Sequence, residues 1–147
     1  MKKILLLCLL LFSCDEDDSN SYEDLIGTWS AANMIVTING DDVTTRASGP
    51  DFIMSYIFNQ DRSCEGESFI EGETDCFTGL CTVDDRIITL LSNDGDIINA
   101  NYKLSNNNTN LTVTISQNEY GDDGEVIDYN SLIILEKVTE LENSLCF

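Results

Sequence analysis

The chain has 147 residues, of which 27 are acidic and 7 are basic, and it has no histidine, so its formal net charge at pH 7 is −20. This negative charge opposes binding to phosphate backbones, which requires clustered lysine and arginine side chains. The composition therefore excludes a nucleic-acid-binding protein. The length suits one domain with a single hydrophobic core.

The N-terminus has the pattern of a secretory signal. Lys2 and Lys3 precede an apolar stretch at residues 4–12, and the small residue Ser13 stands directly before Cys14. A basic start, a short apolar segment and a small residue at the cleavage point are typical of exported proteins. The apolar stretch is shorter than the roughly 20 residues that a membrane-spanning helix needs, so it predicts a cleaved signal and not an anchor.

The sequence Leu11-Phe12-Ser13-Cys14 resembles the lipobox of bacterial lipoproteins. The resemblance implies that the Cys14 thiol receives a diacylglycerol, that residues 1–13 are removed as the signal peptide and that acyl chains hold the mature N-terminus to a membrane. Removal of 1–13 takes away two lysines and no acid, so the mature chain carries 27 acidic and 5 basic residues and a net charge of −22. Since anionic headgroups would repel this charge, membrane attachment has to come from the lipid.

Residues 14–21 form the predicted lipidated N-terminus with an acidic tether, and residues 22–147 form the predicted folded domain. The polar segment 15–21 has no aromatic residue, so it predicts a flexible spacer of at most about 25 Å. The acidic residues 15–18 resemble the surface-export signal of Bacteroidota lipoproteins. In other Gram-negative bacteria an aspartate at this place implies retention at the inner membrane. The predicted location is the outer membrane with the domain at the cell surface, and a periplasm-facing domain is the alternative.

Beyond the tether, short runs of alternating apolar and polar residues are separated by clusters of Gly, Asn and Asp. Leu111, Val113 and Ile115, for example, share one face of a run whose other face is polar. This alternation predicts antiparallel strands with one buried side. Eight strands are predicted, at about 26–38, 52–59, 62–70, 78–84, 86–92, 96–104, 109–117 and 128–138.

Short connections make successive strands antiparallel neighbours, so the predicted fold is all-β, an eight-stranded up-and-down meander. Such a meander can close into a barrel, which removes exposed sheet edges. Its interior is either filled by side chains or holds one small ligand. The segment 39–51, which contains Pro50, is long for a connection and is predicted to be a functional loop. Residues 138–145 are compatible with one or two helical turns.

Gly27-Thr28-Trp29 at the start of the first predicted strand matches the Gly-x-Trp signature of the lipocalins. The sequence segments 56–61 and 82–90, and their order after a long first loop, also resemble those of lipocalin-like domain lipoproteins of the Bacteroidota. The resemblance covers nearly the whole mature chain and implies a lipocalin-like barrel.

The resemblance also assigns roles to the two ends of the barrel. It implies that Trp29 closes one end beneath a basic side chain near the last strand, for which Lys137 is the candidate. It places the ligand mouth at the opposite end, beside residues 39–51. The side chains expected to point inward either line a cavity or fill the core, as apolar strand faces more often do. They are Met54, Tyr56, Phe58, Ile88, Leu90, Tyr102, Leu111 and Val113.

With Cys8 cleaved and Cys14 acylated, four cysteines remain, and an even number in an exported chain favours two disulfides. They are Cys64, Cys76, Cys81 and Cys146. Cys64 and Cys81 lie symmetrically about the turn near Gly72, which allows a bridge across two neighbouring strands. Many lipocalins tie a C-terminal cysteine to the barrel wall, which would join Cys146 to Cys76. The pairing of Cys64 with Cys76 and of Cys81 with Cys146 remains an alternative.

The chain lacks the residues that most catalytic and metal sites need. Without histidine or a Cys-x-x-Cys pair, a zinc site and a catalytic cysteine are both disfavoured. Acid pairs such as Asp84-Asp85 fall in turns, where solvated acids are expected. We therefore predict no enzyme, metal or cofactor. Two functions remain: a monomeric membrane-anchored barrel that binds a small apolar ligand, or an interaction protein with a filled core whose acidic loops contact an envelope protein.

Overall fold

The computed structural model describes residues 21–121, 123–141 and 144–146. These residues form one short helix, α1 (Tyr22–Leu25), and nine strands. The strands are β1 (Gly27–Ile38), β2 (Asp41–Ala47), β3 (Phe52–Phe58), β4 (Ser63–Ile70), β5 (Glu73–Asp84), β6 (Ile87–Ser92), β7 (Ile97–Ser105), β8 (Asn110–Tyr120) and β9 (Val126–Val138).

Eight of the nine strands close into an antiparallel barrel. Strands β3 to β9 are neighbours in sequence order, and β1 completes the ring by pairing with β3 on one side and β9 on the other. The predicted all-β fold and closed meander are therefore confirmed. Closure pairs the two edges that an open sheet would expose.

The ninth strand, β2, corrects the prediction of a functional loop at 39–51. It forms a hairpin with β1 through a tight turn at Asn39 and Gly40, whose φ angles are 52° and 87°. An Asn-Gly turn is a strong hairpin signal. The strand itself was missed because its only large apolar residue, Val43, is 56% exposed, so β2 lacks the apolar face from which strands are recognised.

Strand β1 pairs with three other strands, β2, β3 and β9. Residues 27–30 pair with β3 inside the barrel, and the register shifts between Ala31 and Asn33. Beyond this irregularity β1 leaves β3 and pairs with β2, while β9 stays beside it throughout. A bulge bends a strand and increases its twist, which lets β1 leave the barrel wall without losing its partner β9.

Two further expectations differ from the structure. Strand β5 begins at Glu73 and not near 78, because its first four residues are exposed and show no apolar alternation. The only helix among the described residues is α1, which precedes the barrel and buries Tyr22 and Leu25, whereas residues 139–141 and 144–146 are not helical. Within the described ranges no helix is long and apolar enough to cross a membrane. The predicted signal and most of the tether lie outside these ranges.

Candidate functional site

One end of the barrel is closed by Trp29. Its side chain is fully buried, and its indole nitrogen donates a 2.7 Å hydrogen bond to the Leu25 carbonyl of α1. Lys137, the residue directly opposite on β9, places its Nζ atom 5.1 Å from the Trp29 ring centroid. A cation over an indole face is attracted by the ring quadrupole. This geometry matches the one that the Gly-x-Trp resemblance implies, and we call this end the closed end.

Gly27 makes room for this contact. A Cβ atom at position 27 would lie 2.7 Å from Cε of Lys137, and the residue has a φ of +132°, which L-amino acids rarely adopt. Two features therefore require glycine at this position of the motif: the Lys137 side chain occupies the place of a Cβ atom, and the backbone has a positive φ.

The barrel interior contains a small apolar cavity of about 70 Å³. Ligand pockets typically measure roughly 300–1,000 Å³, so this inner cavity alone is too small for most ligands. It is lined by Tyr56, Phe58, Cys64, Phe77, Cys81, Ile88, Leu90, Ile98, Ala100, Leu111, Val113 and Ile115. The interior of the barrel is thus nearly filled.

A larger cleft of about 370 Å³ lies at the opposite, open end, between the inner faces of β3, β4 and β5 and the turn that joins β6 to β7. We call it the mouth cleft. Its floor is apolar and consists of Met54, Tyr56, Phe77, Leu90 and Ile98. Its rim is mostly polar and consists of Glu67, Ser68, Asp75, Cys76, Ser92, Asp94 and Asp96. Four floor side chains also line the inner cavity, so the two spaces adjoin.

Two aromatic side chains, Tyr56 and Phe77, line both the mouth cleft and the inner cavity. The rings of Tyr56 and Phe77 are 5.8 Å apart between centroids and inclined at 50°. Phe77 lies against the backbone of Gly66, where a Cβ atom would be 2.0 Å from the ring, so only glycine leaves space for it. The Tyr56 hydroxyl donates to Sδ of Met54 at 3.5 Å, and burial raises the pKa of Tyr56 to about 12. Tyr56 therefore remains neutral over the physiological pH range.

Most of the side chains predicted to face the interior border these two spaces. Seven of the eight do so: Met54, Tyr56, Phe58, Ile88, Leu90, Leu111 and Val113. The eighth, Tyr102, is 3% exposed, and its hydroxyl has no hydrogen-bond partner among the described residues. Burial, with smaller contributions from Asp24 and Asp85, raises the pKa of Tyr102.

Two residues of the cleft floor were absent from the predicted set. Phe77 was missed because β5 was expected to begin after it. Ile98 was detectable, since it alternates in register with Ala100 and Tyr102 along β7.

The disulfides are Cys64–Cys81 and Cys76–Cys146. The first predicted pairing is confirmed and the alternative is wrong. Cys64 and Cys81 are 2% and 0% exposed and join β4 to β5 on the barrel interior. The second bridge lies on the outer side of β5, where it fastens the C-terminal segment to the barrel wall.

A buried carboxylate beneath the C-terminal segment was not predicted. Glu67 is 2% exposed and accepts hydrogen bonds from the Ser55 hydroxyl at 2.7 Å, the Leu145 and Cys146 amides at 2.7 and 3.1 Å and the Ser144 hydroxyl at 3.2 Å. Burial by itself would raise the pKa of Glu67, but these hydrogen bonds outweigh it and hold the pKa below its ordinary value of 4.5. Glu67 is therefore a structural anion that holds the C-terminal segment in place.

Charge is distributed unevenly between the two ends of the barrel. Four basic residues lie toward the closed end: Arg62, Arg86, Lys103 and Lys137. At the open end Arg46 is paired with Glu71 at 2.7 Å. Exposed carboxylates of the open end include Glu73, Asp75, Asp94 and Asp96. The open end is therefore strongly negative.

Within the described part of the chain, no group of three or more Cys, Asp or Glu side chains is arranged to hold a metal ion. Cys14, the predicted lipidation site, lies outside the described residues.

No protein-family model matches the chain, and no curated protein sequence matches it. The Gly-x-Trp motif begins β1, the tryptophan lies at the closed end, and the closed eight-stranded barrel is compatible with a lipocalin-like fold.

Proposed function

We propose that the protein is a membrane-anchored lipoprotein of the lipocalin-like kind found in Bacteroidota, and that it binds a small ligand with an apolar part at the open end of its barrel. The observation that carries this proposal is the mouth cleft of about 370 Å³, whose apolar floor adjoins the inner cavity. A cleft of this size lies within the range of small-molecule sites, roughly 300–1,000 Å³. In this proposal the protein is a monomer and acts without catalysis, metal or cofactor.

The proposed anchor is Cys14 at the outer membrane, with the domain at the cell surface. The described residues begin at Ser21, the last residue of the proposed tether. The next residue, Tyr22, is fixed to the closed end: its hydroxyl donates to the Asn59 carbonyl at 2.9 Å, and its ring contacts Phe58 edge to face. The tether therefore joins the barrel at the end opposite the mouth cleft. This arrangement would leave the cleft open to solvent.

A second candidate function is binding to a protein of the cell envelope, and an exposed apolar row favours it. Leu80, Leu91 and Ile97 are 54%, 44% and 65% exposed, and they pair side by side across β5, β6 and β7. The acidic turn between β6 and β7 adjoins this row. Contiguous exposed apolar side chains with a polar border are typical of interaction surfaces.

Two adjacent isoleucines distinguish the candidates. Ile98 borders the mouth cleft, whereas Ile97 belongs to the outer row. We expect the neutral dye N-phenyl-1-naphthylamine to bind the wild-type protein saturably, with a rise in fluorescence. Ile98→Trp should fill the cleft and weaken binding about tenfold, the loss expected when roughly 1.4 kcal/mol of contact is removed. Ile97→Trp should leave dye affinity unchanged. Absence of saturable dye binding would contradict the ligand function. If Ile97→Trp but not Ile98→Trp changed the dye affinity, the dye would bind at the outer apolar row, which would support the second candidate.

Anchoring is tested separately with the two N-terminal cysteines. Cys14→Ala should release the protein into the soluble fraction of cells, because no thiol would remain for lipidation at that position. Cys8→Ala, within the predicted signal, should leave it with the membranes. Sedimentation of the Cys14→Ala protein with membranes would count against lipidation. Digestion of intact cells by an external protease tests surface exposure.

A further inference from the structure

We propose that the mouth cleft selects ligands that join an apolar body to a positively charged group, such as a protonated amine or a quaternary ammonium. The inference rests on the proposed function and specifies the class of ligand. It combines three features of the open end: the composition of the floor, the carboxylates of the rim and the distribution of charge over the barrel.

The floor favours an apolar and partly cationic ligand. Met54, Leu90 and Ile98 offer aliphatic and thioether surface, and Tyr56 and Phe77 offer aromatic rings. Aromatic faces attract a cation that has lost part of its hydration, whereas they do not attract an anion. A bare metal ion would gain nothing from the aliphatic part of this floor, so the ligand needs an organic body.

The rim supplies carboxylates from a strand and from a turn whose backbone is held by hydrogen bonds. Asp94 and Asp96 lie on the turn that joins β6 to β7, and Asp75 lies across the cleft on β5. The turn is fastened at both of its sides. The Asp96 amide donates to the Ser92 hydroxyl at 3.0 Å, and the Asn93 side chain donates to the Thr78 hydroxyl of β5 at 2.6 Å. A fixed rim keeps its charge at the entrance and does not have to be ordered when a ligand binds.

The charge of the whole open end acts in the same direction. The nearest arginine, Arg46, already pairs with Glu71 at 2.7 Å, and the other described basic side chains lie toward the closed end. Clustered charge of one sign raises the local concentration of oppositely charged ligands and accelerates their association. A cationic amphiphile would therefore be drawn toward the cleft, and an anionic one would be repelled.

Three compounds with one alkyl chain and different head groups test the proposal: decyltrimethylammonium, decyl maltoside and decyl sulfate, each far below the concentration at which it forms micelles. At low ionic strength we expect the cation to bind at least about tenfold more tightly than the neutral compound, and the anion to bind most weakly, as measured by calorimetry. The difference should narrow at high salt, because exposed charges are screened.

Paired substitutions locate the charge that is responsible. Asp94→Asn with Asp96→Asn should weaken binding of the cation and narrow its advantage over the neutral compound, whose affinity should change much less. Asp84→Asn with Asp85→Asn removes the same charge from the turn between β5 and β6 and should have little effect. Equal binding of all three compounds, or equal loss of cation and neutral binding in the rim variant, would overturn the charge selection and leave the proposed function standing. Binding of none would contradict the proposed function itself.

Discussion

At the closed end, Gly27, Trp29 and Lys137 form one interacting unit. The lysine stem passes over the site where another residue would carry its Cβ atom, and its ammonium group lies over the indole ring. An aliphatic stem packed on apolar surface with its charge near solvent is a common arrangement for lysine. The glycine and the tryptophan of the motif are thus coupled through a third residue that lies 110 positions after Gly27 in the chain.

Gly27→Ala should destabilise the protein by about 2 kcal/mol, because the new methyl group displaces Lys137 and the backbone is strained at positive φ. Gly40→Ala provides the comparison, since Gly40 also has positive φ but its Cβ would have no atom within 4 Å. It should cost only about 1 kcal/mol. Urea unfolding measures both. If Lys137→Ala does not reduce the additional cost of Gly27→Ala, the displacement of the lysine is not the cause.

The buried carboxylate makes stability depend on pH. Because the pKa of Glu67 is below 4.5 in the folded state, its stabilisation is present above 4.5, the ordinary value, and is lost as pH falls through the folded-state pKa. Glu67→Gln should cost about 2 kcal/mol at pH 7, the contribution of hydrogen bonds to a charged acceptor, and less at pH 3. Denaturant unfolding of both proteins at the two pH values measures the difference. Glu65→Gln, two residues earlier on β4, should cost much less, and a cost of Glu67→Gln that does not vary with pH would contradict this explanation.

At the scale of structural elements, the C-terminal segment is joined to the barrel by one disulfide, Cys76–Cys146, and Cys76 is exposed. The bridge Cys76–Cys146 spans 70 residues and Cys64–Cys81 spans 17, so the chain-entropy model assigns them about 4 and 3 kcal/mol. Because Cys76 is exposed and the other bridge is buried, a mild thiol reductant should open Cys76–Cys146 first. Alkylation followed by mass spectrometry identifies the free thiols. Earlier reaction of Cys64 and Cys81 would contradict this order.

The elements predictable from sequence are those with one buried face. Strand β8, with Leu111 and Val113 inward and Thr112 between them, illustrates why alternation identifies a barrel strand. Strand β2 carries no such face because it pairs with β1 outside the barrel wall. The Glu67 site depends on contacts across 77 to 79 residues, and nothing local to residue 67 specifies which segment will cover it.

For the cleft, sequence predicted the inward residues of β3 and β6 but not the shape of the space between them. Met54, Tyr56 and Leu90 are inward by alternation, yet alternation is the same in a filled core and in a pocket. The cleft lies between strands β3 to β5 and the turn that joins β6 to β7, so its shape depends on how the closed sheet places residues that are far apart in the chain.

At the scale of the whole molecule, helix α1, through which the chain enters the barrel, and the mouth cleft lie at opposite ends. Tyr22 and Leu25 of α1 pack at the closed end, next to Phe58 and Trp29. In the proposed arrangement, a tether of seven residues would reach at most about 25 Å from a lipidated Cys14. The closed end should therefore stay close to the lipid surface, while the acidic open end extends away from it.

The single tryptophan reports this orientation directly, since it lies at the closed end. In vesicles that carry the lipidated protein and lipids with spin-labelled head groups, Trp29 fluorescence should be quenched. The additional fluorescence of a Tyr120→Trp variant should be quenched much less, because position 120 is 79% exposed at the far end of β8, on the open side of the barrel. When unlipidated Cys14→Ala protein is added to the same vesicles, the fluorescence of neither tryptophan should be quenched. Equal or stronger quenching at position 120 would mean that the barrel lies on its side or faces the membrane with its mouth, and a solvent-facing cleft would then be wrong.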